Sequence, residues 1–195
     1  LQERDYQSLE KFLIESYNDF LKDKLLDRSN HKEKLTLLTY LSNCLYKTKK
    51  YKQSLKYSEE LLSGMKEYDC FLHDKYLFYY YNILVLNYAK TDKEKALDYL
   101  NKASSSEVIK KLPSYNAFIY LNRSLIYYYE DNYKESQKNI ARLILQEDFL
   151  LLDKSFQLKI LVTELMIRML VSNKNLNDKI TSINKNYKSL LLEEN

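Results

Sequence analysis

A single glycine and a single proline in a chain of 195 residues constrain the fold more than any other feature of the sequence. Average usage would give about fourteen glycines and about ten prolines in this length. β-Sandwiches, β-barrels and α/β folds need these residues at their turns, and loops that bind nucleotide phosphates need several glycines where the backbone approaches the phosphate. The composition therefore predicts an all-α protein and excludes P-loop and dinucleotide-binding enzymes.

Three stretches of the chain align with one another as internal repeats. Each has an apolar pattern of helical spacing, then a short polar turn, then a second helical pattern with a small residue in its first turn. These small residues are Ser54, Ala96 and Ser136, which follow one another at a period of roughly 40 residues. Such a period predicts successive pairs of antiparallel helices that stack on one another.

The repeated positions resemble the tetratricopeptide repeat (TPR) family. In that family, the first helix carries a large residue, then a small one, then an aromatic near its end. A second aromatic follows the turn, and the second helix contains another small residue. The first repeat places Leu38, Ser42, Leu45, Tyr51 and Ser54 at those positions, and the third places Tyr120, Ser124, Tyr127, Tyr133 and Ser136 there. The second repeat keeps Tyr80, Tyr88 and Ala96 but has Lys93 instead of the second aromatic. The period is longer than the roughly 34 residues of the family.

The resemblance implies an all-α, right-handed superhelix of antiparallel helix pairs, an α-solenoid of about nine helices. We expect a single domain over residues 1–195, and because the chain begins with leucine rather than methionine, we expect it to be a fragment of a longer protein. Its predicted parts are an N-terminal helix (1–30), three repeats (31–68, 69–112 and 113–149) and a degenerate repeat or cap (150–195), whose two helices are separated by residues 172–175.

Capping patterns predict several helix ends. Thr91 with Glu94, Ser104 with Glu107 and, more weakly, Asn132 with Glu135 have the spacing of a capping box at the start of a helix. The pair Ser29-Asn30 predicts the end of the N-terminal helix.

Metal binding and catalysis have little support in the sequence. Cys70 and His73 have the spacing of a ligand pair, and His31 and Cys44 are the other candidate ligands. A structural zinc site usually has two close ligand pairs, whereas only one is present here. No motif places a nucleophile beside a base. We therefore expect no metal, no cofactor and no enzymatic activity.

The 20 tyrosines, in a chain without tryptophan, are the most informative feature for function. The runs Tyr79-Tyr80-Tyr81 and Tyr127-Tyr128-Tyr129 direct side chains to three sides of a helix, so at most one ring of each run can lie in the core. The TPR resemblance implies a concave groove that holds a peptide or a partner helix, and rings with interspersed amides suit such a groove. The predicted partner-binding residues are Asn43, Tyr46, Tyr81, Asn82, Val85, Tyr88, Leu121, Asn122, Leu125, Tyr128 and Tyr129.

A non-catalytic protein-interaction or scaffold module is the first functional expectation, and two alternatives stay open. The long period resembles repeats of bacterial sensor and regulatory proteins, which would make the chain a sensory domain of a signalling or transcription-regulator protein. The second alternative is binding of single-stranded nucleic acid, since lysines and tyrosines alternate between residues 46 and 57. A net charge of only +4 makes nucleic acid the weaker alternative.

Membrane insertion is not expected, because the most apolar late stretch, residues 158–171, contains Lys159, Glu164 and Arg168. The first residues lack the apolar core of a secretory signal, which favours the cytoplasm. Self-association through the first or the last helix is a further expectation. It would follow if the apolar face of such a helix, which includes Phe12 and Phe20 in the first, lacked its native cover.

Overall fold

A computed structural model describes residues 5–171 and 176–193, and none of these residues lies in a β-strand. The prediction of an all-α fold is confirmed. The described residues form eleven α-helices: α1 Tyr6–Lys22, α2 His31–Lys47, α3 Tyr51–Met65, α4 His73–Tyr88, α5 Lys93–Ser105, α6 Glu107–Lys110, α7 Tyr115–Tyr129, α8 Tyr133–Ile144, α9 Lys154–Val171, α10 Leu176–Asn186 and α11 Lys188–Glu193. The expectation of about nine helices missed the short helices α6 and α11. The predicted separation of the last helices at 172–175 lies outside the described residues.

The chain divides into two compact units between Ile109 and Lys110. This boundary lies close to the predicted border between the second and third repeats. In the N-terminal unit, α2 packs against α1, α3 and α4, and in the C-terminal unit α8 packs against α7 and α9. Each unit has its own apolar core. The first contains Leu13, Leu38, Leu41, Leu61 and Met65, and the second contains Ala117, Ile140, Leu143, Phe149 and Ile160.

The first and third repeats cross in the same way. In the first, the Ser54 hydroxyl in α3 donates a hydrogen bond to the carbonyl of Ser42 in α2, at 2.7 Å. In the third, the Ser136 hydroxyl in α8 donates to the carbonyl of Ser124 in α7, at 2.8 Å. All four serines are buried. Small residues at both positions let the paired helices approach until a side chain on one reaches the backbone of the other, as the predicted alignment of these repeats requires.

The turns within the repeats explain why the middle repeat aligns less well. Lys49 and Asp131 have positive φ angles of 64° and 55° in the first and third repeats. The next residue then donates back to the first helix, Lys50 to Leu45 and Asn132 to Tyr127. The middle turn, residues 89–92, contains one more residue and none with positive φ. Ala96 is nevertheless completely buried, as its predicted position at the helix crossing requires.

Two of the capping predictions are wrong and one is confirmed. Helix α5 is capped by Asp92, whose carboxylate accepts from the Lys95 amide, and not by Thr91. Ser104 lies inside α5 and donates to the Asn101 carbonyl. Asn132 caps α8 as predicted, accepting from the Glu135 amide at 3.2 Å.

The predicted end of the N-terminal helix at Ser29-Asn30 is also wrong. Helix α1 ends at Lys22, and Lys24 adopts a positive φ of 54°, so that the Leu25 amide donates to the Phe20 carbonyl. This is the conformation that glycine usually supplies after a helix. No sequence signal therefore marked the end of α1, and Asn30 instead precedes α2.

Candidate peptide-binding surface

An apolar groove of about 460 Å³ lies between the first half of α1 and the second half of α2. The two helices are antiparallel here, because the Cys44 thiol near the end of α2 donates to the Tyr6 carbonyl at the start of α1, at 3.2 Å. The groove is lined by Asp5, Tyr6, Leu9, Tyr40, Asn43, Cys44 and Lys47. Its volume is in the range of small-molecule and side-chain pockets.

Helix α1 contributes an exposed apolar edge to this groove. The helix buries Glu10, Leu13 and Tyr17, which recur at a spacing of three and four residues and form one face. Leu9 and Phe12 lie outside that face and are 43% and 63% exposed, and Tyr40 across the groove is 59% exposed. Large apolar side chains therefore surround the opening.

Glu10 connects α1 to the two helices that follow it. Its buried carboxylate accepts from the hydroxyl of Thr48 at the end of α2, at 2.7 Å, and from the ammonium of Lys50 at the start of α3, at 2.5 Å. Burial by itself would raise the pKa of Glu10, but the hydrogen bonds from Lys50 and Thr48 together lower it. The ionised carboxylate thus holds α1 in the position that forms the groove.

The groove also contains several polar groups. Burial, with Glu10 nearby, raises the pKa of the Cys44 thiol, which disfavours the nucleophilic thiolate. The Asn43 amide donates to the Thr39 carbonyl at 2.8 Å, and its oxygen accepts no bond from the described part of the chain. Lys47 and Asp5 put opposite charges into the lining.

The predicted partner-binding residues of the N-terminal unit separate into two places. Asn43 lines the groove, and Tyr46 is half-buried against Tyr51 of α3. Tyr81, Asn82 and Tyr88 are half-buried on α4, and sequence reasoning missed the contact that Tyr88 makes with α5. Its ring stacks on that of Tyr99, with centroids 5.7 Å apart.

Tyr88 and Tyr99, with the neighbouring Tyr80, form a packed group here called the α4/α5 tyrosine cluster. The Lys95 ammonium lies 5.3 Å from the Tyr88 ring centroid, and the Lys102 ammonium lies 5.2 Å from that of Tyr99. Burial, together with the neighbouring tyrosines, raises the pKa of Tyr80 to about 12. The rings thus support α4 and α5, and less of their surface faces solvent than the sequence suggested.

Two of the predicted contact residues are buried. Val85 is completely buried and Asn122 is nearly so. The Asn122 amide donates to the Phe118 carbonyl one turn earlier in α7. Among the other predicted residues of α7, Leu121 and Leu125 are half-buried, and Tyr128 and Tyr129 are exposed. These α7 residues belong to the C-terminal unit.

The structure also places the candidate metal ligands and the lysines around the first turn. No group of three or more histidine, cysteine, aspartate or glutamate residues in the described ranges could hold a metal ion. His31 is buried with its ring edge-on to Tyr68, and the Cys44 thiol donates a hydrogen bond to the Tyr6 carbonyl. Of the lysines around the first turn, Lys50 and Lys56 are near carboxylates. Across the described helices, none combines the length and hydrophobicity that a membrane span requires.

Sequence reasoning missed Tyr6 and Tyr40 as groove residues, although one signal was available. Helix α1 carries more large apolar residues than a single buried face can use, since Leu9, Phe12, Phe20 and Leu21 add to Leu13 and Tyr17.

Comparisons with protein-family models, with curated proteins and with solved structures find no match to this chain. The TPR resemblance therefore stays a prediction from the repeat pattern.

Proposed function

We propose that this chain is a non-catalytic protein–protein interaction module that binds a peptide or a partner helix in the α1/α2 groove. The helix pairs that carry the groove are proposed to form a TPR-like solenoid. One observation carries the proposal: an apolar groove of about 460 Å³ opens between Leu9 and Tyr40, with Phe12 exposed next to it. Ligand-binding sites are typically concave and mostly apolar, with a few polar groups that fix the orientation of the ligand.

The chemistry of the lining indicates the type of ligand. The rings of Tyr6 and Tyr40 with the Leu9 side chain suit one large apolar side chain of a peptide. The amide oxygen of Asn43 suits a backbone N–H of the same peptide, which would fix its orientation. Lys47 at the rim favours a peptide with a carboxylate beside its apolar anchor.

Repeated helix pairs support the same function. The Ser54–Ser42 and Ser136–Ser124 hydrogen bonds show two pairs built alike within one chain. Repeats of this kind stack into extended surfaces that bind other proteins. The protonated Cys44 thiol gives the groove no nucleophile, which agrees with a binding role.

Selection of peptides from a random library displayed on phage, followed by affinity measurement on the synthetic peptides, tests the proposal. Tyr40→Ala removes a ring from the rim and should weaken binding about tenfold or more, as loss of an interface aromatic typically does. Leu9→Arg should weaken it as well. Phe71→Ala is the matched control, because Phe71 is 74% exposed and does not line the groove.

The expected peptides contain an apolar residue next to an acidic one, and they bind the Phe71→Ala protein with unchanged affinity. If no peptide is enriched, or if the enriched peptides bind the parent, Tyr40→Ala and Leu9→Arg proteins equally, the groove is not the binding site. Circular dichroism of each variant shows whether the fold is retained.

A further inference from the structure

Helix α9 of the C-terminal unit has polar residues on its buried face and apolar residues on its exposed face. It buries Gln157, Ile160, Glu164 and Ile167. Val162, Met166, Met169 and Leu170 are exposed, with Met166 62% exposed. At about 100° per residue the centres of these two faces lie about 150° apart around the helix. The four exposed residues form a continuous stripe, here called the α9 stripe.

The buried polar side chains fix the orientation of the stripe. The Gln157 amide donates to the carbonyls of Leu150 and Leu152 and accepts from the Tyr187 hydroxyl at 2.8 Å. The Glu164 carboxylate is paired with Arg168 at 2.7 Å and with Lys179 of α10 at 2.5 Å. Turning the stripe inward would separate these partners. The Glu164 carboxylate would then be a charge without its paired cations, which is energetically unfavourable for a buried group. The stripe therefore stays on the outside.

We infer that the α9 stripe is an interface with a second copy of this chain, in which the two α9 helices pack antiparallel about a two-fold axis at Met166. Val162 and Leu170 lie one helical turn before and after Met166, so the axis places Val162 of each copy opposite Leu170 of the other. The stripe is thus complementary to itself. This inference rests on the C-terminal unit alone and is independent of the α1/α2 groove.

Charge favours the antiparallel arrangement. Lys159 precedes the stripe on the same side of α9, is exposed, and is its nearest charged neighbour there. In an antiparallel pair each Lys159 lies toward the C-terminal end of the other helix, where the helix dipole is negative. A parallel pair would instead bring the two ammonium groups together. No carboxylate of α9 other than the buried, paired Glu164 is available to attract a basic partner.

The size of the interface predicts its strength. Four side chains on one helix cover less than the roughly 800 Å² that each partner buries in a standard interface. The dimer should therefore dissociate on dilution. Methionine is flexible and polarisable, so the two Met166 side chains can fit against each other at the axis without exact shape matching.

Sedimentation equilibrium of the full chain between about 1 µM and about 200 µM tests the inference. The weight-average mass should rise from 23.5 kDa toward twice that value. Met166→Glu and Met166→Lys each place like charges together at the axis, and each protein alone should remain a monomer. An equimolar mixture of the two should associate again. Misfolded variants would not regain association on mixing.

A second pair of substitutions tests the register. Val162→Lys alone should abolish association, and adding Leu170→Glu in the same chain should restore it, because the axis pairs the two residues. Phe12→Glu on α1 is the control and should associate as the parent does. The inference is overturned if the parent is a monomer throughout the range. It is also overturned if the Met166 variants associate like the parent, if their mixture fails to associate, or if Phe12→Glu alone abolishes association.

Discussion

Gly64 shows how a single residue sets the distance between two helices. It lies in the last turn of α3, where a Cβ atom would come within 2.8 Å of the Leu35 Cδ2 atom in α2. Leu35 is completely buried, so its side chain would have to shift within the core. The one glycine of this chain is thus needed for close packing, whereas the positions with positive φ in the described residues are occupied by lysine, aspartate, tyrosine and cysteine.

Gly64→Ala should destabilise the protein by about 1 kcal/mol. Overpacking a tight contact typically costs ~1–3 kcal/mol, and the better helix propensity of alanine offsets ~1 kcal/mol of it. Urea denaturation at constant slope measures the change. Ser63→Ala, at an exposed neighbouring position, should leave the midpoint nearly unchanged. An increase in stability on Gly64→Ala would mean that Leu35 adjusts without cost.

At the scale of elements, charged side chains join neighbouring helices. Glu10 ties α1 to the end of α2 and the start of α3, and Glu164 ties α9 to α10. Both carboxylates are buried, Glu10 beside Leu13 and Tyr17 and Glu164 beside Gln157, Ile160 and Ile167. Removing one partner of such a group leaves a buried charge with fewer hydrogen bonds, so these contacts specify the position of each helix.

The Glu10 contact predicts a pH dependence of stability. Its pKa is lowered on folding from an ordinary value of 4.5, so the stabilisation is fully present above that value and is lost as the pH falls through the folded-state pKa. Glu10→Gln should be less stable than the parent at pH 7. The difference in the free energy of unfolding should shrink steadily below pH 4.5. Denaturant titrations at several pH values check this, and a constant difference would contradict the role of the ionised carboxylate.

At the scale of the whole molecule, each of the two units has the helices and the apolar core that a domain needs to fold by itself. The N-terminal unit has a core built from α1 to α4, and the C-terminal unit has one built from α7 to α9. Pro113 lies in the connection between α6 and α7, where proline interrupts no helix. The candidate groove lies in the first unit and the α9 stripe in the second.

Residues 2–109 expressed alone should therefore fold. We expect a helical circular dichroism spectrum and a single cooperative thermal transition, because the core of this unit is formed by its own helices. The isolated unit should also retain binding of the peptides selected on the full chain. Helical signal without a cooperative transition would show that this core needs residues after 109.

A small part of the candidate site followed from local patterns, and most of it did not. Asn43 was predicted from its position in the repeat and lines the groove, whereas Tyr6 and Tyr40 were not predicted. Val85 has the repeat position of a contact residue but is buried in the core. A repeat pattern specifies the direction of a side chain on its own helix, but it does not specify which neighbouring helix covers that side.

The sequence by itself determined the all-α class and the helix start at Tyr133, because few turn-forming residues, a regular helical period and a capping residue are properties of neighbouring residues. Only the tertiary structure decided which apolar faces are covered. Leu13 and Tyr17 are buried while Phe12 is exposed, although all three belong to one apolar helix. Burial depends on contacts such as that between Tyr17 and Glu60, 43 residues apart, and no local pattern encodes such a contact.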